Sequence, residues 1–272
     1  MKKLLITLLI SLAPMLAWSQ MPDSKVPYPQ DIAAVKKAGK LVVAMNKKDN
    51  PPFFSGEGDK LQGLDVDIAN RVGVMLGVPV EIRRDAESFA EVVEQVRSGK
   101  ADIAVSKLSV TGPRLQTVLF SQPYVKLKQS LVVNRLWLSQ NSNGREPYQV
   151  IREFNGKISF IAKSSYETYA KVNFPNATLI PETDWNVIIA KVMKGDIAAA
   201  YRDEFETKKI SFEKPDAALS TKTITIADSV DFIAVAVKPE GHMLLGVVNH
   251  VIATEFNNID TKKLMTRYKE SK

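Results

Sequence analysis

The sequence predicts an α/β protein of two lobes with a cleft between them. Short apolar strands alternate with segments of helical spacing in the first half of the chain, and the same alternation resumes after a polar tract at residues 139–147. The chain then returns to complete the first unit and ends in two helices. Such alternation with short connections implies right-handed crossovers and a parallel sheet. Ligands favour the interface between two such units.

Glycines and helix caps place the elements of the first unit. A helix is predicted over residues 31–40, and a second helix runs through Leu76 and is closed by Gly77. Ser88 and Glu91 have the spacing of a capping box at the start of a third helix. The apolar runs between these helices predict buried strands at residues 41–45, 78–83 and 101–105.

The second unit repeats this arrangement after the polar tract, which is typical of a surface loop. A helix is predicted to begin at Ser164 and Ser165, and another spans residues 184–194. A buried strand runs into Asp203, so that a strand again ends in charge. Strands are predicted at residues 157–162, 178–180, 197–200, 223–226 and 232–237, and the terminal helices at 241–254 and 260–268.

The N-terminus has the pattern of a secretory signal peptide. Lys2 and Lys3 precede an apolar run at residues 4–12, and the cleavage-site pattern ends at Ser19. We expect residues 1–19 to be removed and residues 20–30 to form a polar leader. No later run is long and apolar enough to span a bilayer. The periplasm of a two-membrane cell is the expected location, because a one-membrane cell would lose an unanchored protein by diffusion.

Composition excludes several kinds of chemistry. The chain has 272 residues and no cysteine, which excludes disulfides, Cys-ligated zinc and thiol catalysis. Its net charge of +7 is spread without a basic block, which argues against a nucleic-acid partner. His242 and His250 are the only histidines, so a zinc site or a histidine-based triad lacks partners. We therefore expect no metal and no cofactor.

Residues 101–124 carry the candidate site around which the chain is organised. A buried strand gives way to Ser106, Ser109 and Thr111, and then to a Gly-Pro turn and Arg114. Ligands of open α/β sheets collect beyond the carboxyl ends of the strands, and a guanidinium matches a carboxylate bidentately. The same segment is equally typical of a solvated loop cation with turn-forming serines. The segment alone leaves both interpretations open.

Six stretches together resemble a known family over nearly all of the mature chain. They are residues 63–69 (GLDVDIA), 89–99, 106–114 (SKLSVTGPR), 120–124 (FSQPY), 156–157 and 195–203. In order and spacing they are similar to the periplasmic solute-binding proteins of polar amino acid ABC importers, the bacterial extracellular solute-binding proteins of type 3.

This resemblance implies a two-lobed periplasmic-binding-protein fold of type II, the flytrap, with two hinge crossings. The crossings would lie near residues 128–132 and 227–231. Lobe 1 would comprise residues 31–130 and 230–272, and lobe 2 residues 133–228. The implied function is capture of a small amino acid-like ligand without catalysis, by a monomer that docks on an inner-membrane ABC permease.

The resemblance also implies roles for individual residues. Arg114 would bind the ligand α-carboxylate, helped by the Ser109 N–H and by the helix start at Ser164 and Ser165. Asp203 would bind the α-ammonium, with the Ser109 hydroxyl and the Lys107 carbonyl as further acceptors. The remaining predicted site residues are Phe89 as an aromatic wall, Thr111 as a support for Arg114, and Ser106.

Three positions depart from the family pattern. Asn50 replaces an aromatic that usually sandwiches the ligand, and Phe53 or Phe54 are the candidates to substitute for it. Lys107 stands where a small residue is usual, and Arg202 precedes Asp203. If both cations point inward, they favour a ligand with a further anionic group. If both point to solvent, they say nothing about the ligand.

Two other functions remain open from the sequence. Some relatives are similar to cyclohexadienyl dehydratases, and Lys107 with the Asp203-Glu204 pair makes such an enzyme possible. Against this, the expected catalytic acid is a glutamate, whereas this chain has an aspartate at that position. A periplasmic sensor or adaptor subunit that binds another protein is the other alternative.

Overall fold

The computed structural model describes residues 27–257 and 259–270. The predicted signal peptide lies outside these residues, as does most of the predicted leader. The strands are β1 (Leu41–Asn46), β2 (Val80–Ala86), β3 (Ile103–Ala104), β4 (Leu119–Phe120), β5 (Val125–Asn134), β6 (Lys157–Ile161), β7 (Thr178–Glu182), β8 (Ala199–Asp203), β9 (Thr221–Ile233) and β10 (Ala236–Val237). The α-helices are α1 (Gln30–Ala38), α2 (Leu64–Leu76), α3 (Phe89–Arg97), α4 (Gly112–Leu115), α5 (Arg135–Ser142), α6 (Pro147–Arg152), α7 (Ser165–Asn173), α8 (Trp185–Lys194), α9 (Glu204–Glu213), α10 (Ala217–Ser220), α11 (His242–Glu255) and α12 (Thr261–Glu270).

Two mixed sheets with flanking helices form the two lobes. The first sheet has the order β2-β1-β3-β10-β4, in which β1 is parallel to β2 and β3 and β10 is antiparallel to its neighbours. The second has the order β7-β6-β8-β5-β9, in which β5 is antiparallel to β8 and β9. The predicted α/β class is confirmed. The strands of the first alternation, β1, β2 and β3, are parallel as expected. The sheets are mixed because β10 in the first and β5 in the second run antiparallel to their neighbours.

Strands β5 and β9 connect the two lobes side by side. Val125 lies opposite Ile233, and both belong to the apolar core of the first lobe. Leu131 lies opposite Ile224, and both belong to the core of the second lobe. The pairing between the two strands is irregular within the predicted hinge segment 128–132. Each crossing strand is thus anchored in two separate cores, and the connection between the lobes is short.

Helix caps largely follow the sequence pattern. The Ser88 hydroxyl accepts from the Glu91 N–H at 3.2 Å, which confirms the predicted N-cap, whereas the Glu91 carboxylate accepts from the Glu87 N–H rather than from that of Ser88, so the capping box is only half formed. The polar tract 139–147 is not wholly a loop, because its first residues complete α5 and Pro147 begins α6. The Asn134 side chain caps the start of α5 by accepting from the Trp137 N–H, and the helix then continues into the polar tract as far as Ser142.

Strand boundaries differ most at the hinge. The sequence suggests separate strands at 223–226 and 232–237, whereas β9 runs unbroken to Ile233 and β10 is a separate two-residue strand. Pairing with β5 on both sides of the irregularity, at residues 221–225 and 230–233, keeps β9 extended through the hinge. The predicted strand at 101–105 shortens to two residues, and that at 78–83 shifts to β2.

Candidate functional site

A small cavity of about 30 Å³ lies between the two lobes, and we call it the inner cavity. Residues from both lobes line it, and β9 contributes Asp231 and Ile233. Seven of the predicted site residues are among its walls: Phe89, Lys107, Ser109, Arg114, Ser164, Ser165 and Asp203. Arg114 and Asp203, which lie about ninety positions apart in the sequence, therefore line the same cavity.

Lys107 joins the two lobes through a buried ion-pair cluster. Its Nζ lies 2.9 Å from Asp203 Oδ2 and 2.8 Å from Glu206 Oε1, and the three side chains are only 3–4% exposed. The ammonium also lies 4.9 Å from the centre of the Phe53 ring, a favourable position for a cation. The interpretation of Lys107 as a solvent-facing residue is wrong. Its ammonium forms an ion pair with Asp203, the carboxylate that was predicted to bind the ammonium of a ligand.

The loop that carries Lys107 is held in an unusual backbone conformation. Lys107 has a φ of 47°, in the left-handed region that a residue with a Cβ seldom adopts. Its N–H donates to Asp65 Oδ2 at 2.6 Å, and the Tyr124 hydroxyl donates to Asp65 Oδ1 at 2.8 Å. Burial raises the pKa of Asp65 to about 7, which these hydrogen bonds oppose. Asp65 therefore fixes the loop from behind, and Lys107 points across the cleft.

Arg114 presents a guanidinium with few protein partners. Its Nη1 donates to the backbone oxygen of Ser109 at 2.9 Å, and it forms no ion pair within 4.0 Å with a carboxylate of the described residues. Burial lowers its pKa, and the charge of Asp231 partly opposes this. Because a guanidinium carries five N–H donors in a rigid fork, most of its hydrogen-bonding capacity remains available to an anion.

Asp231 lies in the hinge and accepts three hydroxyl hydrogen bonds. Ser109 Oγ and Tyr166 OH donate to Oδ2 at 3.0 and 3.1 Å, and Tyr169 OH donates to Oδ1 at 3.1 Å. Burial raises the pKa of Asp231 to about 6, the nearby charge of Asp203 adds to the rise, and the hydroxyl donors oppose it. Tyr166 and Tyr169 belong to lobe 2 and Ser109 to lobe 1, so this carboxylate holds groups from both lobes.

The start of α7 also touches the opposite lobe. Ser165 Oγ lies 2.8 Å from Ser109 Oγ, and Ser164 caps the helix by accepting from the Tyr166 N–H at 3.2 Å. The helix start therefore faces the inner cavity, as predicted. The Ser109 hydroxyl contacts Ser165 and Asp231 rather than standing free for a ligand.

Four predicted site residues do not line the inner cavity. Ser106 accepts from the Asn46 N–H at 3.0 Å and is fully buried. Thr111 is buried at the start of α4, and among the described residues its hydroxyl has no hydrogen bond to Arg114. Phe53 is a core residue packed edge-on against Phe205. The last of the four, Asn50, pairs with Phe54 in a tight loop further out.

A larger outer cavity of about 560 Å³ adjoins the inner one. Phe89, Ile161 and Arg202 line both cavities, and Asn50 lines the outer one. The Arg202 guanidinium stacks over the Trp185 ring at 5.3 Å, so this arginine does not point into bulk solvent. Trp185 Nε1 is buried without a hydrogen-bond partner among the described residues.

Several site residues were missed from the sequence. Glu206 stands three positions after Asp203, and Asp203 caps α9 by accepting from the Glu206 N–H. Asp231 lies inside a predicted hinge segment, where an acid between apolar residues is itself a signal. Tyr166 directly follows the predicted helix start. These positions carry no motif of their own, and only the fold brings them to the cavity.

Other kinds of site find little support in the described part of the chain. Within residues 27–257 and 259–270, no cluster of three or more histidine, aspartate or glutamate side chains is arranged to hold a metal ion. Over the same residues, none of the helices has the length and apolar character needed to cross a membrane.

The model of the bacterial extracellular solute-binding proteins, family 3, matches residues 41–271. The chain belongs to this family. Among solved structures, an amino acid ABC transporter substrate-binding protein of Streptococcus pneumoniae bound to L-arginine is 28% identical, with a TM-score of 0.69. That alignment covers 88% of this chain and 98% of the other. The two-lobed fold and the family that the sequence suggested are therefore confirmed.

Curated relatives of two kinds are similar to this family member. A probable histidine-binding protein of Campylobacter jejuni is 25% identical over 61% of this chain and 60% of its own length. A membrane-bound lytic murein transglycosylase F of Saccharophagus degradans is 27% identical over 53% of this chain, but only 26% of its own length is matched. The chain thus spans less than two thirds of the length of each of these relatives.

Proposed function

We propose that this chain is a periplasmic solute-binding protein that closes its lobes on a small amino acid-like carboxylate and delivers it to an ABC importer. The observation that carries the proposal is the Arg114 guanidinium, which faces the interlobe cavity and has one backbone oxygen as its hydrogen-bond partner in the described part of the chain. A partly buried guanidinium with free donors is suited to a carboxylate. The first turn of α7, on the other lobe, faces the same cavity and favours the same charge.

The relatives support a ligand of the amino acid class. The Streptococcus pneumoniae protein is bound to L-arginine, and the Campylobacter jejuni relative is named for histidine. An acidic side chain in the ligand would meet Arg202, because Lys107 is already paired with two carboxylates. The signal pattern supports a periplasmic location, and the family supports an ABC permease as the partner. A monomer is proposed as the binding unit.

Ligand-driven closure explains why the site is divided between lobes. A ligand shifts the protein toward the closed state only by the difference between its affinities for the two states. Moving the closed state from rare to dominant needs about 5.5 kcal/mol. A carboxylate held between Arg114 and the start of α7 contacts both lobes and therefore stabilises the closed state alone.

A thermal-shift screen of the wild-type protein tests this proposal. The probes are the twenty amino acids, their 2-hydroxy acid analogues and small dicarboxylates, each at millimolar concentration. We expect at least one of them to raise the melting temperature, because a ligand that binds only the folded state stabilises it. The Arg114→Ala variant should lose that shift. Equal shifts in both proteins would remove Arg114 from the site.

An enzymatic function is the second candidate, because the cleft contains buried charged side chains. Lys107, Asp203 and Glu206 are clustered at the inner cavity, and such clusters occur at catalytic sites as well as at binding sites. The Asp203-Glu204 pair considered from the sequence is not formed there, since Glu204 pairs with Lys208 at 2.7 Å and accepts from the Lys128 N–H. Steady turnover of prephenate by the purified protein would favour the enzyme.

A further inference from the structure

Among the described residues, each carboxylate that lines the inner cavity, Asp203 and Asp231, already accepts hydrogen bonds from protein donors. Asp203 accepts from Lys107 Nζ through Oδ2 and from the Glu206 N–H through Oδ1. Glu206 lies within 4.0 Å of Lys107, Arg202 and Lys209. A ligand ammonium placed here would have to displace Lys107 from a buried pair.

The third carboxylate of the cavity is occupied as well. Asp231 accepts from the hydroxyls of Ser109, Tyr166 and Tyr169, which covers both of its oxygens. An ammonium donates three hydrogen bonds and is costly to bury without acceptors. A carboxylate offers about four acceptor sites, and Asp231 already uses three of them with protein donors, so it can accept from only about one of the three N–H groups of a buried ligand ammonium.

On this basis, and resting on the function proposed above, we propose that the cleft selects carboxylates that lack an α-ammonium group, such as 2-hydroxy and 2-oxo acids, with the Lys107 side chain occupying the ammonium position. Lys107 is then the residue that determines specificity. Arg114 keeps the role of carboxylate ligand.

The balance of charge agrees with an anionic ligand. The inner cavity is lined by three cationic side chains, Lys107, Arg114 and Arg202, and by two carboxylates, Asp203 and Asp231. Glu206, just behind them, lies within 4.0 Å of Lys107, Arg202 and Lys209. With Glu206 and Lys209 included, the cluster has four cations and three carboxylates, which is a net charge of +1. A monoanion neutralises it, whereas a zwitterion brings no net charge to a site where an unpaired charge is costly.

The size of the cavities agrees with a ligand anchored only by its carboxylate. The inner cavity of about 30 Å³ has room for two or three water molecules or a group of that size. The outer cavity of about 560 Å³ adjoins it past Phe89 and can hold the body of the ligand. There Trp185 offers an indole N–H that has no partner among the described residues.

Calorimetry with matched ligand pairs tests the selection directly. The probes are L-alanine and L-lactate, L-glutamate and L-2-hydroxyglutarate, L-phenylalanine and L-phenyllactate, and L-histidine and L-imidazolelactate. Each hydroxy acid differs from its amino acid only at the α-substituent. The proteins are the wild type, Lys107→Ser, and Lys60→Ser as a control on an exposed lysine far along the chain.

We expect the wild type and Lys60→Ser to bind at least one hydroxy acid about tenfold or more tightly than its amino acid. Lys107→Ser frees Asp203 and Glu206 and should reverse that preference. Gain of amino acid binding by Lys107→Ser alone also supports the proposal. The comparison within the wild type does not depend on how well the variant folds.

Two negative results separate the inference from the proposed function. If an amino acid binds the wild type as tightly as its hydroxy acid, the selection by Lys107 is overturned while the binding function stands. The selection is also overturned if the wild type binds neither member of any pair and Lys107→Ser does not gain an amino acid. If, in addition, no probe of the thermal-shift screen raises the melting temperature, the proposed function is overturned as well.

Discussion

The two ends of the inner cavity differ in how much of their chemistry is already used. At one end, Arg114 donates to a single backbone oxygen of the described residues, which leaves most of its guanidinium N–H groups available. At the other, Asp203 is held by a lysine from the opposite lobe and by the first turn of its own helix. The resemblance to the family assigns a ligand group to each end. Asp203 therefore occupies the position that the family resemblance assigns to the ligand ammonium, but its cationic partner is Lys107 of the protein itself.

Loss of the Lys107 charge should have the largest effect on stability. Lys107→Met keeps the bulk of the side chain but leaves Asp203 buried without an ionic partner, and removing one member of a buried pair costs about 3 to 5 kcal/mol. Urea denaturation measures this, with Lys60→Met as the exposed control. A loss under about 1 kcal/mol would mean that Lys107 is solvated in solution and that the two ends are alike.

The next effect concerns Asp231 and depends on pH. Its pKa is raised in the folded protein from 3.8 to about 6, so the folded state holds a proton more tightly than the unfolded state does. The contribution of this group to stability is complete below pH 4 and is lost as the pH rises through about 6. A rise of about two pH units in an acid's pKa corresponds to roughly 2 to 3 kcal/mol.

Asp231→Asn should remove that part of the pH dependence. Between pH 4 and pH 7 the free energy of unfolding of the variant should fall by roughly 2 to 3 kcal/mol less than that of the wild type. Asp65, whose pKa is raised to about 7 by burial, contributes a background that both proteins share. Parallel pH profiles would show that Asp231 is ionised throughout this range, and the hinge end would then carry a full negative charge.

Arg114→Ala tests the open end of the cavity. The variant should lose at least about 2 kcal/mol of binding free energy for the best probe of the screen, or about thirtyfold in affinity. Arg97→Ala is the matched control, because Arg97 is exposed and pairs only with Glu94 in its own helix. Calorimetry measures both, and an unchanged affinity in Arg114→Ala places the carboxylate elsewhere.

The smallest expected effect is at the contact between the start of α7 and the first lobe. Ser165→Ala removes the 2.8 Å hydroxyl pair with Ser109 and should cost about 1 kcal/mol. Ser98→Ala, at an exposed helix end, provides a comparison. Urea denaturation of both variants decides whether the interlobe hydroxyl contact persists in solution, and equal stabilities would indicate that it does not.

Much of the fold could be predicted because it depends on local patterns. Ser88 and Asp184 cap helices where short polar side chains precede apolar periods, and glycines end helices in the left-handed conformation. The direction of β10 could not be predicted in this way. It depends on where the returning chain enters the sheet, and no local pattern carries that information.

The site could be predicted less completely, for a different physical reason. Arg114, Ser109 and Phe89 line the cavity as the resemblance implies. Whether Asp203 is available to a ligand, however, depends on its ion pair with Lys107, nearly a hundred residues away in the chain. The length and flexibility of the Lys107 side chain make its direction undecidable from sequence. The left-handed backbone of Lys107 and the buried Asp65 behind it determine that direction.

A crystal structure of the wild-type protein with its best-binding probe would show which groups hold the ligand. We expect the probe carboxylate on Arg114, with Lys107 Nζ still within hydrogen-bond distance of Asp203 and Glu206. A ligand ammonium on Asp203, with the Lys107 side chain turned out of the cleft, would contradict this expectation.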